Sequence, residues 1–593
     1  MNAHKRTLPA LCLSITMGLA AISIAGDEPA LPTVLPTPKH LAWSDPDAPQ
    51  FLPARALRYA ILSPASRGVI SGVDMVSLRL AEVRLPALQC KEMLGPGTPG
   101  TLWLDVASSA RAEELLGGLP KPGAQGYRLV AGEDWMVIHG ADPAGLFYGL
   151  MTLRQLIQPD GRIPRVAVSD WPDLPVRGAY ISEVDPADYV RDFAAKKINL
   201  LLMEYGDLYR LDDPEVRSRW QGCFDLCRRH FIEPVPELQS LGWGHFVLAL
   251  EPRAAEGVSV ENQPFVAKQG QLVPGAKEPA PAIPLENAGF DDLELVGAQP
   301  PSPLKNVLIT EAAALVVTDA AGGTVFEQGR DYRIVPGDPL DSGDVLKGIA
   351  GYVAEVEPMR LEVLPEGRIQ EGDGLLVSYT YAPPGGITCC PSEPLYQALM
   401  RRSLHNVAKH LAPKYIHIGH DEPRVLGRDR RCTERGLSRA QLFVDDIKRT
   451  RTYARELDPD VRLMMWADAV NPHHNEPHLG MEKVADLLPR DIVLCTWFYH
   501  WPDPAELIRK SVTYFTDLGF DVTGSPWYGH ANAHHWAQAL AERREASPRA
   551  LGELYTSWPE APVDRWQALP TMAEFAWNAR GMPLAVFLEA ARD

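Results

Sequence analysis

Eight short apolar segments separated by stretches of helical spacing constrain the fold of this 593-residue chain more than any other feature. Helices fill most of the intervals, as at Ala187–Lys197 and Pro394–Leu411. This alternation predicts an α/β fold with a closed (β/α)8 TIM barrel, whose chemistry lies at the carboxyl ends of the strands. The predicted strands are Gly178–Ser182, Asn199–Glu204, Glu233–Glu237, Tyr415–Gly419, Arg462–Ala467, Ile492–Thr496, Asp521–Ser525 and Glu553–Ser557.

The alternation is interrupted between the third and fourth strands by residues 251–388. This stretch begins Pro-rich and shows no convincing helix, but it carries strand-like runs such as Tyr332–Val335 and Leu375–Tyr381. Short strands without helices predict a β-sandwich-like insert. The barrel would then occupy residues 171–250 and 389–593.

The region before the barrel divides into two predicted parts. Residues 1–25 place basic residues ahead of an apolar run that ends in small residues, which is typical of a cleaved signal peptide. Residues 26–170 mix strands with helices, which indicates a small α+β domain. We therefore expect a periplasmic or secreted protein with no membrane association after cleavage.

Composition narrows the possible partners. Hydrophobic residues make up 46% and charged residues 23% of the chain, which is typical of globular proteins. A net charge of −18 argues against a nucleic acid or an anionic membrane as the partner. No cofactor is predicted, and the oligomeric state is left open.

Seven cysteines follow the predicted signal peptide, too few for a disulfide scaffold in so long a chain. Cys223 and Cys227 fall at helical spacing and are predicted to be core residues. Cys389 and Cys390 could bridge to Cys432 in an oxidising compartment, and the sequence leaves the pairing open.

The strongest chemical signal lies at the end of the fourth predicted strand. The run Tyr415–Arg424 reads Tyr-Ile-His-Ile-Gly-His-Asp-Glu-Pro-Arg and places Asp421 beside Glu422. Two adjacent carboxylates are costly to bury together as ions, so their surroundings should separate their pKa values. One protonated and one ionised carboxyl at a barrel mouth suits glycosidic-bond cleavage, although such residues also stabilise the first turn of a helix.

Aromatic residues near the other strand ends favour a sugar pocket. Trp466, Trp497, Trp558 and Tyr528 each lie at or after a predicted strand. Flat apolar rings pack against the C–H face of a pyranose, and the strand ends share one face of a barrel. These residues and the carboxyl pair together predict a carbohydrate site.

Outside the insert, the sequence resembles glycoside hydrolase family 20, the exo-β-N-acetylhexosaminidases. The segments that carry the resemblance are Gly126–Leu129, Gly145–Gln155, Arg177–Gly178, Pro236–His245 and His417–Glu422. The resemblance implies an enzyme that removes terminal β-linked N-acetylhexosamine from a glycan or glycoconjugate. It also implies a substrate-assisted retaining mechanism, in which the 2-acetamido group of the sugar is the nucleophile.

The resemblance implies roles for individual residues. Glu422 would be the general acid and base, Asp421 would orient the acetamido group, and Tyr528 would donate to its oxygen. Asp207 and His245 would form a relay that tunes the acid. The remaining sugar contacts would come from Trp466, Trp497, Trp558 and Glu560.

Four positions depart from the family pattern. Asp185 stands where an arginine usually grips sugar hydroxyls, and Glu204 stands where a histidine is usual. His420 replaces a glycine, and His530 replaces an aspartate. We expect these residues to line the pocket and to alter its sugar preference, although Asp185 before a proline is also a good helix start.

Two other interpretations are open. Loss of the hydroxyl-reading residues would leave a carbohydrate-binding protein without catalysis. Alternatively, His417, His420 and Asp421, with the loop at His473, could hold the metal of a hydrolase or deacetylase. The spacing of these residues is too loose to name a metal, and no metal site is predicted.

Overall fold

The structure is a computed structural model. It describes residues 31–44, 51–53, 57–61, 67–91, 95–107, 109–275, 303–337, 358–383, 387–499, 504–558 and 564–591. The predicted signal peptide and Glu560 lie outside these residues. Within the described ranges, no helix has the length and apolar character that a membrane span requires.

An α+β unit precedes the barrel, as predicted. Its strands are β1 (His40–Trp43), β2 (Phe51–Pro53), β3 (Arg58–Ile61), β4 (Thr101–Asp105), β5 (Tyr127–Ala131), β6 (Trp135–Gly140), β7 (Arg162–Pro164) and β8 (Val166–Asp170). Six of them form a mixed sheet in the order β1-β8-β5-β6-β4-β3. Apolar residues of this sheet and of two helices share one continuous core with the barrel.

The barrel and its insert supply the other strands. The barrel strands before the insert are β9 (Val176–Ile181), β10 (Leu200–Glu204) and β11 (Glu233–Ser240). The insert contains β12 (Val258–Lys268), β13 (Gln271–Pro274), β14 (Val307–Leu308), β15 (Val316–Asp319), β16 (Val325–Phe326), β17 (Tyr332–Val335), β18 (Arg360–Val363) and β19 (Gly374–Tyr381). The barrel resumes with β20 (Tyr415–Gly419), β21 (Arg462–Trp466), β22 (Val493–Trp497), β23 (Asp521–Ser525) and β24 (Ala550–Tyr555).

The predicted barrel is confirmed. Its eight strands are all parallel and close in the order β9-β10-β11-β20-β21-β22-β23-β24. Alternate residues of each strand point inward, and Leu202, Val235 and Met464 belong to the interior core. Two polar residues, Glu237 and His417, interrupt this apolar interior at paired positions of β11 and β20.

Helix starts follow the expected capping chemistry. Asp142, Asp185, Asp213 and Glu393 each accept a backbone N–H, and each is followed by a proline in the first turn. The helices of the described ranges are Arg67–Glu82, Ala110–Leu115, Pro143–Leu156, Pro186–Ala195, Pro214–Arg229, His245–Leu250, Pro394–Leu411, Arg430–Thr433, Arg439–Arg455, Pro504–Asp517, His530–Ala546, Leu569–Trp577 and Leu584–Ala590.

The described strands of the insert form one antiparallel sheet with its own core. The order is β16-β15-β19-β12-β13-β18-β17, with β14 paired to β19. Its two ends meet at the barrel, where Ala255 forms a bridge with Cys389 and the Glu256 N–H donates to the Thr388 carbonyl at 2.8 Å. The insert therefore leaves and rejoins the barrel at one place.

One buried carboxylate links distant parts of the chain. Asp170, the last residue of β8, accepts hydrogen bonds from the Tyr127 hydroxyl at 2.9 Å and from Trp577 Nε1 at 2.8 Å. Lys197 Nζ lies 3.0 Å from the same carboxylate, and both side chains are fully buried. The Lys39 backbone N–H donates to it as well, at 3.2 Å. Asp170 thus joins the N-terminal sheet to the barrel and to its last helices.

Candidate active site

The end of β20 carries Asp421 and Glu422 to the barrel mouth through a turn with unusual backbone angles. The φ angles of Gly419, His420 and Glu422 are 66°, 69° and 45°. A Cβ at Gly419 would lie 2.0 Å from Gln239 Oε1, so only glycine fits there. Side-chain-bearing residues at positive φ are costly and cluster at functional sites.

The Glu422 carboxylate is held at the edge of the mouth by two donors. Trp243 Nε1 donates to Oε2 at 2.8 Å, and Arg424 Nη2 donates to the same oxygen at 2.6 Å. The Glu422 backbone N–H donates to Asp468 Oδ2 at 3.1 Å. The side chain is 8% exposed, so one edge still reaches the pocket.

Asp421 is in a different environment. Burial raises its pKa well above the usual range, and Asp468 and Glu422 add to that shift. Among the described residues, none donates a hydrogen bond to its Oδ1, which is buried. The adjacent Glu422, in contrast, has a guanidinium partner in Arg424. The two neighbouring carboxyls therefore have distinct surroundings, as expected.

Asp468 is a third carboxyl at this site, and the sequence analysis missed it. It lies on the turn after β21 and is almost completely buried. Burial raises its pKa to about 7, with Glu422 as the next cause, while Asn475 opposes the shift. The signal was present in the sequence, since Trp466-Ala-Asp468 places an acidic residue directly after the fifth strand.

Aromatic rings from several strand ends surround the carboxyls. Trp466 and Trp558 contact each other with ring centroids 5.7 Å apart, and Tyr180 lies 4.4 Å from Trp558. Trp466 is almost completely buried and donates from Nε1 to Glu237 Oε1 at 2.9 Å. Its position is therefore fixed by the barrel interior.

Tyr499 is a second residue that the sequence analysis missed. Its ring stacks on Trp497 with centroids 5.0 Å apart, and its hydroxyl accepts a hydrogen bond from Trp558 Nε1 at 3.0 Å. Burial raises the pKa of Tyr499, and Asp421 and Glu422 contribute to the rise. The Tyr499 hydroxyl thus lies close to the two carboxyls.

Tyr528 and His530 follow β23 at partly exposed positions. The Tyr528 ring packs edge-on against Trp527, and its backbone carbonyl accepts from Gln567 Nε2 at 3.3 Å. His530 begins a helix, and its Nδ1 lies 2.7 Å from Thr571 Oγ1. Burial lowers the pKa of His530. The contact with Thr571 joins His530 to the helix Leu569–Trp577.

The predicted pairing of Asp207 with His245 is wrong. His245 Nε2 instead lies 3.4 Å from Glu204 Oε1, an ion-pair distance, and the Tyr180 hydroxyl donates to the other Glu204 oxygen. Asp207 lies on a surface turn and pairs with Arg219. Glu204, which was expected to contact sugar, therefore occupies the carboxylate position beside His245, because it ends β10 and points inward.

Trp243 connects this histidine to the catalytic candidates, and sequence reasoning did not single it out. His245 Nδ1 lies 2.9 Å from the Trp243 carbonyl oxygen, and the Trp243 indole donates to Glu422. The Arg424 guanidinium lies over the Trp243 ring, 5.6 Å from its centroid. A chain of contacts thus runs from Glu204 through His245 and Trp243 to Glu422.

Two further predicted sugar ligands are used within the protein. His420 is fully buried, with Nε2 3.1 Å from Asp446 Oδ2 and Nδ1 3.0 Å from Ser240 Oγ, so the prediction that it binds sugar is wrong. Asp185 is exposed and accepts the Ala187 N–H at 2.9 Å. The helix-start interpretation is therefore the one that the structure supports for Asp185.

The histidines proposed as metal ligands do not converge. Fully buried His417 places Nδ1 3.0 Å from Glu237 Oε1, while His420 points to Asp446. Burial lowers the pKa of His417 to about 3 and raises that of Glu237, which favours a neutral pair. His474, in the loop after β21, packs on Trp497. These positions give no support to a metal-dependent hydrolase.

Comparisons with known proteins agree with this fold. Residues 79–171 match the family model described as glycosyl hydrolase family 20, domain 2. A chitobiase from Flavobacterium johnsoniae is 14% identical, with 94% of this chain and 71% of that chain covered and a TM-score of 0.56. A family 20 exo-β-N-acetylglucosaminidase from Vibrio harveyi, solved with N-acetylglucosamine, is 13% identical over 97% and 79%, with a TM-score of 0.56.

A third solved structure extends this agreement to proteins of similar length. The family 20 β-N-acetylhexosaminidase of Streptomyces coelicolor A3(2) is 16% identical, with 95% of this chain and 94% of that chain covered and a TM-score of 0.54. At identities this low, the TM-scores and coverage establish a shared fold and nothing further. Together with the family-model match, they confirm the resemblance to family 20.

Proposed function

We propose that this chain, which shares the fold of family 20 and matches that family's second-domain model, is an exo-glycosidase for terminal β-linked N-acetylhexosamine. The observation that carries the proposal is the placement of Asp421 and Glu422 at the end of β20. Glu422 accepts a hydrogen bond from the Trp243 indole, and the barrel mouth is lined by further aromatic side chains such as Trp466, Trp558 and Tyr499. Aromatic rings beside a few convergent polar groups form the pocket that a pyranose requires.

The proposed reaction has two steps. In the first, the acetamido oxygen of the substrate attacks C1 while the C1–O glycosidic bond breaks and Glu422 gives its proton to the departing oxygen. The aglycone leaves as an alcohol, and a cyclic oxazolinium ion remains. In the second, Glu422 takes a proton from a water that attacks C1, and the ring reopens with the β configuration retained. No enzyme nucleophile is required, since the substrate supplies it.

Asp421 is proposed to stabilise the positive charge of the cyclic intermediate. Burial raises the pKa of Asp421, because little water reaches its carboxyl group. A cation formed beside it would therefore be stabilised strongly, because little water screens the interaction. Tyr528 remains the proposed donor to the acetamido oxygen, and Tyr499 offers a second hydroxyl near the carboxyls.

Glu204 and His245 are proposed to position the acid rather than to touch the sugar. They reach Glu422 through Trp243, whose indole donates to the carboxylate at 2.8 Å. The chain is further proposed to be periplasmic or secreted, because an exported enzyme would meet glycan ends directly.

A panel of aryl β-glycosides tests the proposed activity. Substrates with a 2-acetamido group should be cleaved, and those with a hydroxyl or a free amine at C2 should be cleaved very slowly, because the intramolecular nucleophile is absent. A thiazoline analogue of the oxazolinium ion should bind much more tightly than the substrate. Efficient cleavage of a plain β-glucoside or β-galactoside without thiazoline inhibition would contradict the proposal.

One observation favours a second candidate, a carbohydrate-binding protein without turnover. Arg424 Nη2 and Trp243 Nε1 both donate to Glu422 Oε2, at 2.6 Å and 2.8 Å. This oxygen is therefore already held within the protein, which limits how far the carboxyl can move to reach a glycosidic oxygen. Calorimetric binding of N-acetylglucosamine without cleavage of any aryl glycoside, including those with activated leaving groups, would identify this function.

A further inference from the structure

Four buried side chains outside the barrel mouth form a compact group of potential metal ligands. Glu256, Cys390, Asp429 and Cys432 each place one oxygen or sulfur atom within 4.8 Å of the atoms of the other three. They come from the start of the insert, the end of the insert and the segment around helix Arg430–Thr433. Residues far apart in sequence therefore meet at one point.

The separations suit a tetrahedral metal. Cys390 Sγ lies 3.6 Å from Cys432 Sγ and 3.9 Å from Asp429 Oδ1, and Cys432 Sγ lies 3.2 Å from Glu256 Oε2. A zinc ion about 2.3 Å from sulfur and about 2.0–2.2 Å from oxygen places its ligand atoms roughly 3.5–3.8 Å apart. Small adjustments of the four side chains would therefore complete the coordination.

The two carboxylates are already oriented for this purpose. Glu256 Oε1 accepts the backbone N–H groups of Arg428 at 2.8 Å and Asp429 at 3.2 Å. Asp429 Oδ2 accepts the Gly257 N–H at 2.9 Å and is paired with Arg431. Glu256 is thus fixed through Oε1 and directs Oε2 towards the Cys432 sulfur. Asp429 is fixed through Oδ2, while its Oδ1 accepts the Cys432 N–H at 3.3 Å and also faces the Cys390 sulfur. Hydrogen bonds that orient ligands in this way are a regular feature of protein metal sites.

The charge at this point also calls for a cation. Arg431 is buried and shared between Asp429 and Glu393, with its Nη1 2.8 Å from Glu393 Oε2. One guanidinium is therefore shared by two buried carboxyl groups, those of Asp429 and Glu393, and Glu256 is a third buried carboxyl of the cluster. Two thiolates would add further negative charge, and a divalent ion would offset part of it.

We propose that Glu256, Cys390, Asp429 and Cys432 form a structural zinc site that fastens both ends of the insert to the segment after β20. All four positions are protein ligands, so the site would be closed and without catalytic function. The proposal revises the expectation that the chain holds no metal, and it is independent of the glycosidase activity.

A disulfide between Cys390 and Cys432 is the competing arrangement. The Cys432 thiol points at Glu256 Oε2 from 3.2 Å and donates to it. Oxidation would remove the thiol proton and leave the buried carboxylate oxygen facing a sulfur that cannot donate. A zinc ion instead satisfies both sulfurs and both carboxylates at once, which is why the geometry favours the metal.

Metal analysis of the full-length chain tests the proposal. Elemental analysis by mass spectrometry should find one zinc ion per chain in protein purified without chelators. The variant Cys432→Ser should contain no zinc. Cys389→Ser is the matched control, because Cys389 is the equally buried neighbour whose Sγ faces the Gly244 carbonyl at 3.9 Å. This control should keep the full zinc content.

Two further measurements keep the proposal falsifiable if Cys432→Ser fails to fold. Chelation should lower the melting temperature of the wild type and of Cys389→Ser, because metal binding contributes to folding stability. Thiol titration of the denatured, chelated wild type should find both Cys390 and Cys432 reduced. Zinc-free protein that gains no zinc on reconstitution, or a peptide cross-linked through Cys390 and Cys432, would overturn the proposal.

Discussion

The two sides of the barrel mouth use their polar side chains differently. Beside β20 to β22, Asp421 keeps a buried oxygen to which no described residue donates, and Glu422 follows it directly in the chain. Beside β9 and β10, Asp185 caps a helix and Glu204 is held between a tyrosine and a histidine. On the β20 side, a polar atom is left for a ligand to contact. On the β9 and β10 side, the polar atoms make contacts within the protein.

This difference changes the meaning of the departures from the family pattern. Two of the residues that depart from that pattern, Glu204 and His420, have partners inside the protein. These two residues therefore support the walls of the pocket, and their contacts carry no information about the sugar. Substitutions on the two sides should differ accordingly in the size of their effects.

The largest effect is expected on the carboxylate side, from Glu422→Gln. Removal of a general acid and base typically lowers turnover about 10²–10⁴-fold. The folded state should be retained, because the amide has the same volume and can still accept from Trp243. Turnover of an aryl N-acetylglucosaminide and the thermal melting curve check both parts. A near-normal rate on a substrate with a poor leaving group would contradict the assignment.

A smaller effect is expected from Glu204→Gln, on the supporting side. The change weakens the contact with His245 and loosens the path through Trp243 to Glu422, and misplacement of a catalytic group can cost about 10–10²-fold in rate. We expect kcat to fall with little change in KM and the pH profile to shift. If KM rises and kcat does not change, Glu204 contacts the sugar directly and the comparison fails.

Asp468→Asn should change the pH dependence of activity more than its maximum. Asp468 is the second cause, after burial, of the raised pKa of Asp421. Loss of that negative charge should lower the Asp421 pKa, so the acid limb of the kcat/KM profile, which requires ionised Asp421, should move to lower pH. An unchanged acid limb in a folded variant would show that Asp421 does not control it.

Stability should respond to the same substitution with a defined sign. The pKa of Asp468 is raised from 3.8 to about 7, so the folded wild type binds a proton that the unfolded chain has lost between these values. This stabilisation is complete below pH 3.8 and is lost as the pH rises through about 7. The asparagine does not titrate, so Asp468→Asn does not lose this contribution. The difference in melting temperature, variant minus wild type, should therefore increase as the pH rises from 3.8 to about 7.

The smallest effect is expected from Asp207→Asn. Asp207 is partly exposed and pairs with Arg219 at the surface, and such pairs contribute about 0–1 kcal/mol to stability. Activity should remain within about twofold of the wild type, because no contact joins Asp207 to His245. A large loss of turnover would restore the relay that the structure replaces with Glu204.

The barrel could be predicted because its signal is repeated and local. Strands Tyr415–Gly419 and Asp521–Ser525 coincide with their predicted bounds, since apolar runs flanked by helices leave little choice of register. The last strand begins at Ala550, three residues before its predicted start at Glu553. Gly552, at φ 149°, and the fully buried Glu553 break the apolar pattern there.

Partner choices at the site could not be predicted in the same way. The strand-end rule finds Asp421 and Glu422, but it does not decide whether His245 meets Asp207 or Glu204. The choice depends on position along the chain. Glu204 ends β10 with its side chain inside the barrel, whereas Asp207, three residues later, lies on the following turn. Tyr499 was missed for a related reason, because loop conformation rather than strand position brings it to the carboxyls.

The hydrogen bonds of Asp170 have a consequence for the order of synthesis. This residue emerges early from the ribosome, together with Tyr127, but Lys197 follows later and Trp577 comes 407 residues after it. Until Lys197 and Trp577 arrive, the carboxylate in the nascent chain lacks two of its donors and stays costly to bury. The N-terminal sheet therefore cannot complete its packing in isolation. Chains that end before residue 577 should be cleaved by proteases within the N-terminal domain as well as in the barrel.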